Sequence, residues 1–453
     1  MTDAKITSPG AAEATPSERR VLRELAARIM EIAVSPRMDE RRNAWRASHD
    51  LNASRPVILV ETIAVDGFKD KSKLNCSDPY LRDVEMTFRE YIRHYEEIND
   101  DFVIDPVFRI PWKIRSSGYG IDLGEKYPVN AGLGIAYSYD YFIKQPEDIE
   151  KLSYNTHTVL RDDTAKLVHK AESAFGDIMP VKPGGLDLIH TEWDGLFSTC
   201  EHAVAEDGSR RYVGYTPSVG CYFIGICMMV YKLLGNENLS LWAYDHPETI
   251  HKIASFVCED RIRFFKWAEN EGLFLSNTGS HLIGSGPLGP VSVLTKPPDA
   301  RANLRDIWGW AEAQEAEIFS PDMYEEFFLP YIAKACELFG LISYGCCEKL
   351  TDRVGRTLAR IPNIRNVAVS PWNDDSVMAG LLGKQYSYCR KIIPGNMSKK
   401  EADFGIMKAE LKGIVKAAGD CNLQVCVRDV YDVHGDISRL SKWADMAKGV
   451  LGI

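Results

Sequence analysis

Apolar, strand-like runs alternate with helix-like segments along most of this 453-residue chain, and several of the runs end in polar residues. Val57 to Val60, Leu341 to Tyr344 and Leu423 to Val427 are three such runs. Continuous β-branched and aliphatic runs are typical of parallel strands that are buried on both faces. Because so many β and α units alternate, the pattern favours an eight-fold barrel over an open sheet. We therefore predict an α/β fold, a (β/α)8 TIM barrel.

The chain is expected to divide into three parts. Residues 1–17 are polar and rich in Ala, Pro, Ser and Thr, and we predict a disordered lead. Residues 18–50 carry two helical patterns, the first capped by Ser17, and are predicted to form an N-terminal helical extension. The barrel is predicted over residues 51–453. It contains an inserted cap segment at about 100–140, where proline, glycine and aromatic residues are frequent.

Composition excludes several classes of partner. The net charge of −10 argues against nucleic acid, because phosphate binding needs clustered Lys and Arg. The longest apolar run, Val219 to Leu234, is interrupted by glycines and a lysine and is too short to span a bilayer. The 11 cysteines are scattered and odd in number, and residues 1–17 lack the apolar core of a secretion signal. We expect a cytoplasmic protein with reduced thiols.

The run Ser343 to Glu348 carries the strongest chemical signal. Two adjacent thiols, Cys346 and Cys347, and the carboxylate of Glu348 directly follow a predicted strand. Thiolates bind Zn(II), and a carboxylate can complete such a site. The alternative is packing, because adjacent residues of a strand point to opposite faces and cysteine is often buried. No Cys-x-x-Cys pair and no nucleotide-binding glycine loop is present, so the cysteines either pack or join a mixed thiolate–carboxylate site.

Other segments supply further candidates, each with a structural alternative. His190 lies in a run that is dense in hydrogen-bonding groups and is equally consistent with a surface loop. Asn277 and His281 flank a glycine-rich loop, where a histidine is more often hydrogen-bonded than a ligand. Trp310 and Glu312 belong to a segment that mixes aromatics with acids, and the tryptophan could equally be core.

Two more candidates follow predicted strands directly. Trp372 comes after the strand over 364–369, at the edge of a pocket or in a plain turn. Arg428 closes the last strand, where it is available to a substrate or paired with Asp429. The chemistry of a parallel barrel lies at these strand ends, so both residues are predicted to bind substrate.

Taken together, these motifs resemble the uroporphyrinogen decarboxylase-like superfamily, and within it the branch of corrinoid-linked methyltransferases. The matching segments occur in the family order from about residue 40 to the C-terminus. They are Arg42-Asn-Ala-Trp45, Arg55-Pro56, Trp308-Gly-Trp-Ala-Glu312-Ala-Gln314-Glu315, Tyr344-Gly-Cys346-Cys347-Glu348, Ile361-Pro-Asn-Ile-Arg365, Ser370-Pro371-Trp372, Arg428-Asp429 and Gly435-Asp436.

The resemblance implies a barrel whose C-terminal mouth binds Zn(II) and a methylated substrate. In related enzymes the methyl group passes to the Co(I) of a separate corrinoid protein. Cys346 occupies the place of the zinc thiolate in relatives that carry a His-x-Cys motif, and Tyr344 stands where that histidine would be. The ligand set must therefore differ. Glu312 and Glu348 are the expected replacements, Cys347 is the alternate thiol, and Cys426 and His281 are in reserve.

Three hypotheses about function follow. The first is a Zn-dependent methyltransferase with Glu312, Tyr344 and His190 as catalytic residues, acting on an aryl methyl ether that stacks on the aromatics Trp310 and Trp372. A quaternary ammonium held by cation–π contacts is the alternative substrate. The second hypothesis is a cofactor-free decarboxylase or lyase that acts on an organic acid. The third is a non-catalytic scaffold subunit of a corrinoid complex. A homodimer is the default assembly.

Overall fold

The computed structural model describes residues 13–65, 67–117, 119–120, 125–126, 138–139, 141–186, 202–204, 210–212 and 222–453. Within these residues the α-helices are α1 (Pro16–Ala33), α2 (Pro36–His49), α3 (Pro79–Glu97), α4 (Arg161–Phe175), α5 (Ile226–Asp245), α6 (Pro247–Asn270), α7 (Pro321–Phe327), α8 (Leu329–Cys336), α9 (Val354–Arg360), α10 (Asp375–Leu382), α11 (Pro394–Met397), α12 (Phe404–Ala418) and α13 (Ser438–Leu451). The strands are β1 (Val57–Val60), β2 (Phe108–Trp112), β3 (Ile114–Ser116), β4 (Glu125–Lys126), β5 (Ser138–Tyr139), β6 (His157–Val159), β7 (Val181–Leu186), β8 (His202–Val204), β9 (Arg210–Tyr212), β10 (Trp308–Ala311), β11 (Leu341–Tyr344), β12 (Ile364–Val369), β13 (Ser387–Lys391) and β14 (Asn422–Val427).

A six-stranded sheet forms the centre of the molecule, in the order β1-β14-β13-β12-β11-β10. All neighbouring strands in this sheet are parallel. All residues of the strands β10 and β11 are buried. The predicted α/β class with a parallel sheet is confirmed. A closed ring of eight strands is not observed in the described residues, because β2 and β7 pair with each other in a separate parallel sheet. Past β10, a single parallel bridge joins Phe223 to Trp310.

The two faces of the central sheet have different partners. Tyr344 points toward the surrounding helices, where its hydroxyl lies 2.8 Å from the hydroxyl of Tyr324 in α7. The opposite face is covered by the glycine-rich loop 284–286. A Cβ at Gly284 would lie 2.5 Å from Ser343 Oγ, so only a glycine lets the loop approach β11 this closely. Lys391 Nζ donates to Ser285 Oγ at 2.9 Å, so the side chain of this last residue of β13 lies on the face that the loop covers.

The N-terminal helices divide between two packing partners. α1 packs on α3 and α4 in an apolar cluster of its own, and Thr15 caps it in a capping box with Glu18. The helix thus begins at Pro16, and the prediction that Ser17 caps it and that the lead extends to residue 17 is wrong. α2 instead closes the amino edge of the central sheet, where Gln424 Nε2 donates to Ser48 Oγ at 2.9 Å.

The predicted cap segment at about 100–140 is only partly described. Its first part contains β2, which pairs in parallel with β7, and β3, which pairs antiparallel with β6. Residues 108–112 are therefore strand. Among the described helices, none combines the length and apolarity that a membrane crossing requires.

Candidate functional site

The carboxyl ends of the central strands bring five polar residues to one edge of the sheet. Glu61 follows β1, Glu312 follows β10, Cys346 follows β11, Lys391 ends β13, and Arg428 follows β14. In a parallel sheet the carboxyl ends of all strands lie at the same edge, which is where α/β proteins build their sites. The candidate site is therefore this edge.

The turn after β11 positions the two adjacent thiols. Gly345 has φ +105°, and a Cβ there would lie 2.6 Å from the carbonyl oxygen of Ala368 in β12. Trp310 Nε1 donates to the carbonyl of Gly345 at 3.0 Å and fixes the turn from the other side. The two sulfurs of Cys346 and Cys347 then lie 3.7 Å apart, and both side chains are partly exposed.

Cationic and acidic groups surround Cys347. Lys391 Nζ donates to Cys347 Sγ at 3.3 Å, and Asp429 Oδ2 lies 3.5 Å from the same sulfur. The hydrogen bond from Cys346 lowers the pKa of Cys347, and the ammonium of Lys391 lowers it further against the opposing effect of burial. The same hydrogen bond, together with burial, raises the pKa of Cys346 well above its usual value. Of the two thiols, Cys347 therefore loses its proton more readily than Cys346.

Lys391 and Arg428 are the two cations of this side of the site. Burial alone would lower the pKa of Lys391, but the nearby sulfurs of Cys346 and Cys347 raise it, so the side chain stays charged. Arg428 Nη1 lies 3.1 Å from Glu61 Oε2, and its Nε lies 3.7 Å from Asp429 Oδ1. The positive φ of Asp429, +60°, is unusual for a non-glycine residue and turns the chain just after β14.

Three buried carboxyls form the other side of the site. Glu312, Glu315 and Glu348 each have one buried oxygen without a hydrogen-bond partner among the described residues. Burial raises the pKa of Glu312 well above its usual range, and repulsion from Glu315 and Glu348 raises it further. Burial, with repulsion from Glu348, also raises the pKa of Glu315 to about 7. At neutral pH these carboxyls therefore hold a proton more readily than an ordinary glutamate, which is ionised there.

Glu348 is anchored from the loop after β10. Ala313 N donates to Glu348 Oε1 at 3.2 Å, and the guanidinium of Arg353 donates to the carbonyls of Ala313 and Ala316 at 3.0 and 3.2 Å. Burial raises the pKa of Glu348, and the charge of Arg353 opposes that rise. Arg353 thus ties the two acid-bearing loops together.

The fit of this edge to a zinc ion can be judged from its donor groups. In the part of the chain that the structure describes, no three His, Cys, Asp or Glu side chains are grouped so that they could hold a metal ion. The ammonium of Lys391 also occupies the neighbourhood of Cys347 that a cation would need. The predicted ligands Cys346, Cys347, Glu312 and Glu348 lie at one edge, yet as placed they do not fit a zinc ion.

Several predicted site residues have structural partners elsewhere. Trp310 is buried in the core against Phe223, with ring centroids 4.4 Å apart. Tyr344 lies on the helix-covered face, as described above. Asn277 bonds both backbone groups of Trp308, at the amino end of β10. Neither Trp310 nor Tyr344 offers a free face for stacking on a substrate, because both are almost completely buried.

The reserve ligands belong to other clusters. His281 Nε2 lies 3.6 Å from Asp299, in a buried ionic cluster with Arg109. Burial and the charge of Arg109 lower the pKa of His281 to about 4. Cys426 Sγ lies 3.6 Å from Cys389 Sγ within an apolar cluster.

The two remaining predicted residues are Trp372, which follows β12, and His190. Trp372 is 59% exposed and lines a rim cavity of about 490 Å³ together with Phe319, Lys349 and Arg353. His190 lies outside the described residues.

Sequence reasoning missed two residues of the site. Lys391 ends a strand whose sequence, Ser387 to Lys391, gives no sign of which of its two basic residues faces the site. Glu315 lies on the 3-10 helix Gln314–Ile318 after β10, and nothing in the sequence of this segment distinguishes its carboxyl from those of a solvated helix. The one available signal was position, since both residues lie at or just after the carboxyl end of a strand.

Comparison with known proteins adds little to this geometry. No family model and no curated protein matches the chain. One solved structure that is similar to it is a methyltransferase from Methanosarcina mazei, with 9% sequence identity, coverage of 89% of this chain and 97% of that chain, and a TM-score of 0.42. A similarity at this level carries no conclusion about function.

Proposed function

We propose that the chain is a methyltransferase that demethylates a small methylated substrate, with an aryl methyl ether favoured, and passes the methyl group to the Co(I) of a separate corrinoid protein. The observation that carries the proposal is the group of three carboxyls with raised pKa values, Glu312, Glu315 and Glu348, beside the thiols at the carboxyl edge of the sheet. The corrinoid acceptor and the closure of the sheet into an eight-stranded barrel come from the sequence resemblance, and both belong to the proposal.

The chemistry needs an acid at this place. A methyl ether is a poor electrophile because its leaving group is basic, so the developing negative charge on oxygen must be stabilised. In the proposed step the C–O bond breaks, the acceptor's electron pair bonds the methyl carbon, and the proton of Glu312 moves to the leaving oxygen. A carboxyl that is kept neutral at pH 7 by burial and by neighbouring carboxyls is suited to this role. Glu312 is left as a carboxylate, and Glu315, with its pKa of about 7, is a neighbouring group that can return a proton.

Zinc enters the proposal only as a prediction of the sequence. If bound, it would supply Lewis-acid polarisation of the same oxygen. Cys346, Cys347, Glu312 and Glu348 would be its ligands, and Lys391 would have to leave Cys347 first. No step above depends on the ion.

One observation favours a second candidate function. Lys391, which is buried, and Arg428, which is half-buried, place two cations at the ends of adjacent strands. Such a pair suits the carboxylate of an organic acid, and a neighbouring protonated glutamate could protonate the carbanion left by loss of CO2. A decarboxylase or lyase of this kind would need no corrinoid protein. The ion pairs that Arg428 already makes with Glu61 and Asp429 count against it.

The test is anaerobic incubation of the protein with methylated compounds and a reduced corrinoid protein. Cobalt methylation is followed by its change in absorbance. We expect transfer from an aryl methyl ether, and a fall of about 10²- to 10⁴-fold in kcat for Glu312→Gln, because the proton donor is removed. Glu401→Gln, which alters an exposed glutamate, is the matched control and should retain the rate.

Three outcomes would count against the proposal. Absence of methyl transfer from every compound would refute it. Release of CO2 from an organic acid without corrinoid protein would favour the second candidate. Unchanged turnover in Glu312→Gln would remove Glu312 from the catalytic step.

A further inference from the structure

Two pairs of thiols in this protein have almost the same spacing and very different surroundings. The sulfurs of Cys346 and Cys347 are 3.7 Å apart, and those of Cys389 and Cys426 are 3.6 Å apart. The first pair is partly exposed at the carboxyl edge of the sheet. The second pair is fully buried beneath Gly286, where a Cβ would lie 3.1 Å from Cys426 Sγ. Spacing alone therefore does not distinguish the pairs, but access does.

Charged neighbours distinguish the pairs further. Lys391 Nζ lies 3.3 Å from Cys347 Sγ. A sulfur that attacks an oxidant carries negative charge as it does so, and an adjacent ammonium stabilises that charge. The buried pair lies in an apolar cluster with residues such as Val57 and Leu59, where a charged sulfur is disfavoured.

Geometry also permits the two exposed sulfurs to join. A disulfide bond is about 2.05 Å long, so the sulfurs need to approach by less than about 2 Å. The glycine before the pair, Gly345, lacks a side chain that would resist rotation of the turn.

We propose that Cys346 and Cys347 form a site of reversible oxidation at the edge of the sheet, with peroxide as the oxidant. The sulfur of Cys347 attacks a peroxide oxygen, the O–O bond breaks, and Cys347 becomes a sulfenic acid while water leaves. The thiol of Cys346 then attacks that sulfur, a second water leaves, and the vicinal disulfide forms. Two thiols are oxidised by two electrons and one peroxide is reduced to two waters. This inference is independent of the proposed methyl transfer.

Oxidation would change the edge chemically. The disulfide removes both sulfur donors, and Lys391 loses the acceptor at Cys347. Any reaction or metal binding that needs a free thiol at this edge would stop, and a dithiol reductant would restore it. The presence of peroxide would thus control whether reactions that need a free thiol can proceed at this edge of the sheet.

The experiment exposes the full-length protein to hydrogen peroxide and follows peptide masses after blocking of free thiols. We expect the peptide that carries Cys346 and Cys347 to escape blocking, at about 2 Da below its unblocked reduced mass, and to accept two blocking groups after dithiothreitol. The Cys389 and Cys426 peptides should stay reduced, as an internal control in the same sample. Cys389→Ser should oxidise at the edge at the wild-type rate.

Three variants separate the roles of the neighbours. In Cys346→Ser the reaction should stop at a sulfenic acid on Cys347, about 16 Da heavier and trapped by dimedone. In Cys347→Ser no oxidation product should form at the edge. Lys391→Met should slow formation of the disulfide by about tenfold, and Lys391→Arg should retain most of the rate because it keeps the positive charge.

Other results would overturn the inference. These are preferential oxidation of the buried pair, accumulation of sulfinic or sulfonic acid at Cys347 in the wild type, or an unchanged rate in Lys391→Met when circular dichroism shows that the variant is folded. A sulfenic acid on Cys346 in the Cys347→Ser variant would reverse the assigned roles.

Discussion

At the scale of single residues, the site combines groups whose environments shift their protonation in opposite directions. A thiol and an ammonium lower the pKa of Cys347, whereas burial raises the pKa values of Glu312, Glu315 and Glu348. Titratable groups whose pKa values are separated in this way are typical of sites that move protons. Two predictions test the acid side and the thiol side separately.

The first prediction concerns Glu315 and pH. Its pKa is raised from 4.5 to about 7, so the folded protein holds a proton that the unfolded chain releases above pH 4.5. The corresponding stability is present below pH 4.5 and is lost as the pH rises through about 7. Between pH 4.5 and pH 7 the free energy of unfolding of the wild type should therefore fall more steeply with pH than that of Glu315→Gln. The difference in slope should be up to about 1.4 kcal/mol per pH unit. Urea unfolding between pH 4.5 and pH 7 measures the slope, and an unaltered slope would contradict the assignment.

The second prediction concerns metal at the thiols. The sequence predicts zinc on Cys346, whereas the described side chains form no ligand group of three. If zinc binds through rearrangement of Lys391 and the turn, the wild type should carry one ion per chain by elemental analysis. Cys346→Ala should then lose it while remaining folded. Cys258→Ala, which alters a buried thiol in α6, is the control. Full zinc occupancy in Cys346→Ala would show that this sulfur is not a ligand.

At the scale of the elements, the turn that joins β11 to the thiols depends on one glycine. Gly345 adopts φ +105°, and any Cβ would meet the backbone of β12 at 2.6 Å. The positions of both sulfurs follow from this turn, because they are the next two residues. Backbone atoms cannot rotate away as a flexible side chain can, so the contact has to be relieved by displacement of the strand end.

Gly345→Ala should therefore lower the free energy of unfolding by about 2 kcal/mol or more, from the positive φ and the steric contact together. Gly355→Ala is the matched control, since a Cβ there meets nothing within 4 Å and the position lies in α9. That change should be neutral or stabilising because alanine favours helix. Chemical denaturation of the three proteins measures the difference, and equal stabilities would contradict the structure of the turn.

At the scale of the whole molecule, the two edges of the central sheet have separate tasks. The carboxyl edge carries the thiols, cations and acids, and the amino edge is closed by α2. Gln424 donates to Ser48 Oγ at 2.9 Å, lies 3.0 Å from His49 Nε2 and accepts from Asn366 at 2.9 Å. Stability and chemistry are thus placed at opposite ends of the same strands, as is general in parallel barrels.

Gln424→Ala should lower the free energy of unfolding by about 2 to 4 kcal/mol, because it leaves several buried polar groups without partners. The rate of peroxide oxidation at Cys346 and Cys347 should not change. Gln385→Ala, at an exposed position, is the control for stability. A change in thiol reactivity without a change in stability would show that the two edges are coupled.

The sequence by itself determined the class of fold and the place of the chemistry. A continuous apolar run such as β1 is typical of a strand that is buried on both faces, as in a parallel sheet covered by helices. Polar residues directly after those runs, among them Glu61, Cys346 and Arg428, had to converge because the carboxyl ends of parallel strands share an edge. These conclusions depend on the local pattern of apolar and polar residues and on the direction of each strand, and both can be read from the sequence.

Only the tertiary structure decided which side chains share that edge. The direction of Tyr344 toward α7 and the contact of Lys391 with Cys347 depend on the parity of each strand and on which strands are neighbours. The raised pKa of Glu315 depends on burial and on the carboxyl of Glu348, which comes from a different loop. Burial and the distance between charges are properties of the packed molecule, and residues far apart in the chain contribute to both. Burial and these distances are therefore fixed only when the strands have paired, and the sequence alone does not give them.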